Sequence, residues 1–176
     1  MPVRGERLLG VEATILLGTL VAAAASSEAE DWQPLELVAV LLGFAIVSDV
    51  LALKHTSQRI TGAFLAIVLA TVLCGPAPAV LVGVVSVLVD SLRNRLAPHK
   101  VLTNAATYAV IPLLVGLGID WLDGVTDMAT DNVTFALVVF AAFVVSFALN
   151  FAMIAADVAA KTGISIPSPT TSGITA

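Results

Sequence analysis

Long apolar runs alternate with short polar connections along the whole chain. A helix needs about 20 apolar residues to cross a hydrocarbon core of roughly 30 Å, and it satisfies its backbone hydrogen bonds within itself. The runs show none of the period-two alternation that is typical of barrel strands. The pattern therefore predicts an all-α integral membrane bundle of about six transmembrane helices. Their expected limits are 8–25, 35–53, 60–74, 77–92, 102–119 and 133–156.

The third and fourth runs are the shortest, and Gly75-Pro76-Ala77-Pro78 joins them. They form a hairpin that either crosses the membrane twice at a steep angle or re-enters it from one side. The basic residues on either side of the hairpin do not distinguish these paths, because both paths return to the same side of the membrane. We favour two crossings. Short segments broken by glycine and proline often line binding sites in transporters. This hairpin is therefore the first place to look for a ligand cavity.

Composition indicates a lipid rather than an aqueous environment. Of the 176 residues, 59% are hydrophobic and 12% are charged, whereas soluble domains carry about 25% charged residues. The net charge of -5 excludes the basic surface of a typical nucleic-acid binder, and the single cysteine, Cys74, excludes a disulfide framework. Phosphate-binding loops, zinc helices and nucleophile elbows are missing from the sequence. We expect a protein with no catalytic activity, no cofactor and no bound metal.

All eight lysines and arginines fall at the termini or in alternate connections. Because such residues accumulate on the cytoplasmic side of membrane proteins, we expect a multi-pass protein of the plasma membrane with both termini in the cytoplasm. The other connections are acidic, with Trp32 and Trp121 at their edges and a Trp-Leu-Asp-Gly turn in the second. The basic residues are Arg4, Arg7, Lys54, Arg59, Arg93, Arg95, Lys100 and Lys161.

The first run follows two arginines and ends in small residues, as the apolar part of a signal peptide does. It is long for that role, and it contains Glu12. If it is counted as a retained crossing, the lysines and arginines of every later connection also fall on the cytoplasmic side, which we call the charge rule. We therefore assign residues 1–161 to the transmembrane domain and residues 162–176 to a flexible Pro/Ser/Thr-rich tail or linker stub.

Ionisable residues within or beside apolar runs are expensive in a membrane and mark candidate functional positions. Near helix ends they favour two interpretations. The first is a ring of interfacial ion pairs, such as Asp90 with Arg93, Asp157 with Lys161, and Asp49 with Lys54 or Arg59. The second is a polar site open to the cytoplasm, or a coupling surface for a partner. We favour the first. The residues concerned are Glu12, Asp49, Asp90, Arg93 and Asp157.

Polar or small residues recur at helical spacing on the fourth and sixth runs, and such stripes face protein or water rather than lipid. The fourth run carries Ala79, Gly83, Ser86, Asp90 and Asn94, and the sixth carries Ser146, Asn150, Met153 and Asp157. Asn104, Thr107 and Tyr108, early in the fifth run, are expected to close a third wall of the same cluster. Interhelical hydrogen bonding is favoured over ligand contact. The candidate ligand-binding or coupling residues are Asp90, Arg93, Asn94, Asn104, Tyr108, Asn150, Asp157, Asp49 and Glu12.

A ladder of small residues with a four-residue period lies on the first helix: Gly10, Thr14, Gly18 and Ala22. Such ladders let two helix backbones approach closely. Internal packing or self-association is favoured over docking on another protein, and all three uses stay open.

The segment 60–117 resembles parts of two known families. A short helix ends in Gly75-Pro76, a second ends in Asp90 with Arg93 behind it, and Val101-Leu102-Thr103-Asn104-Ala105-Ala106 begins the next. This arrangement resembles the multi-helix membrane N-terminal sensor region of bacterial cyclic-di-GMP-type signalling proteins, the diguanylate cyclases and HD-type phosphohydrolases. It is similar, more weakly, to the substrate-binding S components of energy-coupling-factor vitamin transporters.

The signalling resemblance implies a multi-pass sensory or small-ligand-binding domain. The 176 residues include no enzymatic domain of that family, so no activity is carried over. The transporter resemblance implies a subunit whose first helix docks on a transmembrane partner. A third hypothesis is an oligomerising membrane anchor. The expected partners are the lipid bilayer, an unidentified small molecule, and a cytoplasmic signalling partner, a transporter-coupling partner or a second copy; nucleic acid is not expected.

Overall fold

The computed structural model of the chain describes residues 3–51, 53–55, 58–60, 62–126 and 133–162. These residues form a bundle of six helices, which confirms the predicted helical class. A single 3-10 turn, Glu30–Trp32, lies between the first two helices. Each helix corresponds to one predicted apolar run. The helices are α1 (Val3–Ala25), α2 (Leu35–Val50), α3 (Ala63–Cys74), α4 (Pro76–Asn94), α5 (Pro98–Thr126) and α6 (Val133–Thr162).

The connection between α2 and α3 differs from the prediction. Instead of two helices reaching residues 53 and 60, a hairpin of two short antiparallel strands, β1 (Leu53–His55) and β2 (Gln58–Ile60), occupies this segment. Lys54 and Arg59 are paired in its register. The apolar character of a residue does not reveal where backbone pairing changes from within a helix to between strands, so hydropathy placed both helix ends wrongly.

The turn predicted at Trp-Leu-Asp-Gly is also wrong, because α5 continues through it to Thr126. At 1.5 Å per residue, the 29 residues of α5 extend over about 44 Å, longer than a hydrocarbon core of about 30 Å. Its last turns therefore need no apolar residues, and Asp120 and Asp123 lie on the helix itself. The acidic residues 127 and 131 of the same predicted turn lie outside the described residues.

Prolines mark the start of two helices. Pro76 is the first residue of α4 and Pro98 the first of α5, a position where proline's missing N–H leaves no hydrogen bond unmade. Pro112 lies inside α5 and is fully buried. Helix α5 continues through this position as one helix.

Helix α4 lies in the middle of the bundle and contacts α1, α2, α3 and α5. Its packing on α2 and α3 forms the largest cluster of buried side chains, which includes Leu41, Ile67 and Val82. A second cluster joins α4 to α1 and α5 through Val80, and a third joins α3, α5 and α6 through Val68. Helix α6 packs mainly on α3 and α5, on one side of the bundle.

The two ends of the bundle differ in charge. At one end, here called the acidic end, the α3–α4 turn at Gly75 lies against Asp31, and Pro76 contacts Gly116 of α5. At the other, the basic end, Arg93 of α4 reaches the last residue of α2, and Thr103 of α5 reaches Glu12 of α1. Helices α1 to α5 therefore run between the same two ends.

Among the described residues, three helices are long and apolar enough to cross a membrane: Pro76–Asn94, Pro98–Asp123 and Val133–Ala156. Leu9–Ala25 and Ala63–Cys74 are shorter apolar helices. Large apolar side chains also cover much of the exposed surface of α1 and α6; Leu17 is 65% exposed and Phe140 is 66% exposed. Contiguous apolar surfaces of this extent are rare on soluble monomers and mark contact with lipid or protein.

Candidate functional site

Asp49 and Ser86 connect α2 to α4 near the basic end. The hydroxyl of Ser86 donates a hydrogen bond to Oδ2 of Asp49; Ser86 is fully buried and Asp49 is half-buried. Asp49 lies in the last turn of α2, where the negative end of the helix dipole disfavours a carboxylate. The hydrogen bond from Ser86 offsets part of that penalty and fixes the side chain.

Arg93 makes a second connection between the same two helices. Its Nη1 donates to the backbone carbonyl of Val50, the last residue of α2, over 2.8 Å. The final carbonyls of a helix have no partner within the helix and carry partial negative charge, so an arginine is well suited to cap them. Together the two contacts hold the end of α2 against the last three turns of α4.

Asp90 and Asn94 extend this polar surface along α4. Nδ2 of Asn94 donates to Oδ1 of Asp90 over 2.7 Å and to its backbone carbonyl over 3.0 Å. Both residues are half-buried. The predicted stripe on α4 therefore faces protein: Ala79, Gly83 and Ser86 are buried and the two polar residues continue the same face.

Glu12 and Thr103 connect α1 to α5 at the same end of the bundle. The Thr103 hydroxyl lies 2.8 Å from Oε1 of Glu12 and 2.9 Å from the carbonyl oxygen of His99. Glu12 is half-buried and is the one charged residue of the segment 8–25. The contact gives a carboxylate in an apolar segment a hydrogen-bond donor, as polar groups removed from water require.

Two glycines allow α4 and α5 to approach closely. A Cβ atom on Gly83 would overlap the backbone carbonyl oxygen of Tyr108. Toward the acidic end, a Cβ on Gly116 would lie 2.7 Å from Cβ of Pro76. Because both contacts involve main-chain or proline atoms that have little freedom to move, these helices form one closely packed unit.

The remaining candidate residues are dispersed. Tyr108 is half-buried and packs beside the α2–α3–α4 cluster, whereas Asn104, one turn earlier on α5, is exposed. Asn150 of α6 is half-buried, between the buried Ser146 and Met153, which packs against α3 and α5. The side chain of Asp157 lies outside the described residues.

The small-residue ladder on α1 is exposed at all four positions. A Cβ on Gly10 or on Gly18 would meet nothing within 4 Å, and the Thr14 hydroxyl donates to the carbonyl of Gly10 in its own helix over 2.8 Å. Within the described part of the chain, this face is not used for internal packing. Self-association and docking on a partner remain as predictions.

The α3–α4 turn is closed by neighbouring residues at the acidic end. Gly75 has φ +84°, in the region that favours glycine, and a Cβ there would lie 3.1 Å from Oδ1 of Asp31. Oδ2 of Asp31 also accepts the backbone N–H of Glu28 over 2.9 Å. Asp31 thus packs against the turn at which the sequence predicts a ligand cavity, and that cavity stays a prediction.

Sequence reasoning missed two hydroxyl residues, Ser91 and Thr103. Both lie in polar or mixed segments next to residues that it selected, and only the relative rotation of α1, α4 and α5 shows their importance. Among the described residues, no group of three or more His, Cys, Asp or Glu side chains is placed to hold a metal ion. Cys74 is buried. No family model, curated protein or solved structure matches the chain.

Proposed function

We propose that the chain is a multi-pass membrane protein with six crossings and cytoplasmic termini, and that it acts as a sensory or small-ligand-binding domain without catalysis of its own. The observation that carries the proposal is the pair of contacts at the basic end, Ser86 to Asp49 and Arg93 to Val50. They connect α2 to α4 through polar groups in an otherwise apolar bundle. Polar contacts of this kind, in a membrane, are functional candidates by default.

Lipid contact is supported by the surface of the bundle. In the most apolar span, Val133–Ala156, only 11% is buried inside the bundle. Since lipid tails are as apolar as these side chains, a bilayer accommodates this surface and water does not. The basic end carries Arg93, Arg95 and Lys100, which the charge rule assigns to the cytoplasm.

Two full crossings by α3 and α4 are favoured over a re-entrant hairpin. The 12 residues of α3 extend over only about 18 Å. However, their turn at Gly75 reaches the same bundle end as Asp31, which lies in the connection between α1 and α2. Most of α3 is buried against other helices, which removes the need for it to match the bilayer thickness alone.

The proposed mechanism is a shift of α2 relative to the α4–α5 unit. Helices α4 and α5 are held together by backbone contacts at Gly83 and Gly116, whereas α2 is held at its basic end by Asp49 and Arg93. A ligand shifts such an equilibrium only through different affinities for the two arrangements. The basic end is then where a cytoplasmic partner senses the change.

Orientation is tested with two cysteine variants labelled on intact cells by a membrane-impermeant thiol reagent. Arg95→Cys lies at the basic end and Trp121→Cys at the acidic end, and both positions are exposed. The native Cys74 is buried and serves as the unlabelled background. We expect Trp121→Cys to react from outside and Arg95→Cys only after permeabilisation. The reverse pattern contradicts the proposed orientation.

The sensory role is tested by native mass spectrometry of the protein purified in mild detergent. We expect a bound small molecule, or a cytoplasmic signalling partner, to be retained. Asp90→Asn should then alter the response to that ligand while leaving the yield of folded protein unchanged. Loss of folded protein with no altered response means that the polar contacts serve only to hold the helices together.

The exposed ladder on α1 favours a second candidate, a transporter S-component-like subunit. A face where Gly10 and Gly18 have open space above them is suited to another helix. This hypothesis predicts co-purification with a coupling subunit that Gly18→Leu abolishes. The oligomerising-anchor hypothesis predicts instead a homo-oligomer that the same variant dissociates, so the mass of the complex separates the two.

A further inference from the structure

Ser91, on the last turns of α4, is a buried hydroxyl for which the described residues provide no hydrogen-bond partner. It is only 5% exposed, and its Oγ makes no hydrogen bond with the part of the chain that the structure describes. A hydroxyl in a helix normally satisfies itself by donating to the carbonyl four residues earlier. Five threonines of this chain do so: Thr14, Thr19, Thr71, Thr103 and Thr107. Ser91 therefore departs from the local rule, and a buried polar atom of this kind calls for an unseen partner.

The Ser91 side chain faces the junction of α1 and α5. Val80 and Val84 of α4 pack in that junction, against Leu16 of α1 and Ala109 of α5. Ser91 follows Val84 by seven residues, which is two helical turns and the same face. It thus lies in the same junction, displaced toward the basic end.

Glu12 and Thr103 extend this junction toward the basic end. Glu12 precedes Leu16 by one turn and so extends the same face of α1 toward the basic end. It is hydrogen-bonded to Thr103 of α5. Side chains on a helix lean toward its N-terminus. Pro76 lies beside Gly116 and Gly83 beside Tyr108, so the same antiparallel register places Ser91 nearer the basic end than Thr103. Its side chain, which leans toward the acidic end, therefore leans toward Thr103 and Glu12.

We propose that this oxygen cluster, defined as Ser91, Glu12, Thr103 and the backbone carbonyl of His99, binds a sodium ion. The Thr103 hydroxyl has one hydrogen and two acceptors within reach, at 2.8 Å and 2.9 Å. The cluster is therefore rich in lone pairs and poor in hydrogens, which suits a cation.

The donor set selects the kind of cation. All four groups present oxygen, the donor that hard cations prefer over nitrogen or sulfur. Glu12 is the only carboxylate among them, so a single positive charge gives a neutral site, whereas a divalent ion would leave net charge in an apolar junction. A carboxylate is also a strong-field ligand, and ligand number and field strength distinguish small from large monovalent ions.

The test is thermal unfolding of the purified full chain in detergent, in sodium chloride or in choline chloride at equal ionic strength. We expect sodium to raise the midpoint by several degrees in a saturable manner, because a ligand of the native state stabilises it by mass action. Binding of radioactive sodium should saturate over the same concentration range. This site does not depend on the proposed sensory role, and a negative result here leaves that role unaffected.

Two variants and one control identify the site. Ser91→Ala and Glu12→Gln should lose most of the sodium-dependent shift, while Thr14→Ala, on the exposed face of α1, should keep it. In choline chloride, Ser91→Ala should unfold at or above the wild-type midpoint, because it removes an unsatisfied hydroxyl. Its lost response then cannot be attributed to misfolding. Equal midpoints of wild type in the two salts, or a full sodium response in both variants, overturns the proposal.

Discussion

Single glycines determine how closely the central helices pack. Gly83 and Gly43 are both helical, yet a Cβ on Gly83 would overlap the main chain of α5, and a Cβ on Gly43 would meet nothing within 4 Å. The sequence marked Gly83 only as one member of a small-residue stripe. It did not reveal that Gly83 lies against the main chain of α5, because close approach depends on how two distant segments are rotated toward each other.

Gly83→Ala should therefore lower the free energy of unfolding by about 1–3 kcal/mol, the usual cost of overpacking a well-packed interior. Gly43→Ala, its matched control, should be neutral or stabilise the protein by up to about 1 kcal/mol through its helix propensity. Reversible unfolding in mixed micelles measures both. Similar effects of the two substitutions would show that α4 and α5 are not in close contact at Gly83.

Gly75 is constrained by its backbone as well as by its neighbour. With φ at +84° and ψ at −179°, it occupies a region reached almost solely by glycine. Gly75→Ala should cost about 1–3 kcal/mol in unfolding free energy, whereas Gly118→Ala, where nothing lies within 4 Å, should not. The sequence predicted the break between α3 and α4 from Gly75 and the proline after it. It did not predict the contact with Asp31.

At the scale of whole elements, apolar runs located all six helices but not all of their ends. Helix α2 stops at Val50 and α5 continues to Thr126. The physical reason is that a helix can begin or end in water at little cost, and its boundary there depends on caps and backbone pairing rather than on side-chain polarity. The pairing of α2 with α4 through Asp49 and Ser86 likewise requires knowledge of which helices are neighbours.

The strength of that pairing is measurable by a double-mutant cycle with Asp49→Asn, Ser86→Ala and the double variant. A hydrogen bond to a charged group contributes about 1.5–3 kcal/mol, so each single change should destabilise the bundle. The losses of unfolding free energy from the two single changes should add up to clearly more than the loss in the double variant, because each single change already removes the same hydrogen bond. Strict additivity of the unfolding free energies would show that the two side chains do not interact.

At the scale of the whole molecule, composition predicted the class of protein and left the arrangement open. The most apolar span, in α6, is the least buried: 11% of it is buried inside the bundle, compared with 56% of the span in α4. Hydropathy ranks the affinity of a segment for an apolar environment, and both the lipid and the protein interior are such environments. It therefore cannot identify the central helix, which here is the one with a polar stripe and small residues.

A charge placed on the outer face of α6 distinguishes lipid from water around the bundle. Val144 is 47% exposed near the middle of the span, and Val144→Arg should disfavour insertion by about 2.5–3.5 kcal/mol on translocon scales. Leu92→Arg, at an 80% exposed position beside Arg93, serves as control and should be tolerated. Membrane fractionation and yield of folded protein report the difference. Val144→Arg with undiminished yield would falsify lipid contact at this face.

Both tryptophans of the chain lie toward the acidic end, so the protein has two intrinsic fluorophores at that end. The indole N–H of Trp32 donates to Ser27 over 2.9 Å and its ring is partly enclosed, whereas Trp121 is 72% exposed. An aqueous collisional quencher should extinguish the emission of Trp121 first. Tryptophan fluorescence therefore does not report events confined to the basic end. A change in emission caused by an event at the basic end must have been transmitted along the helices.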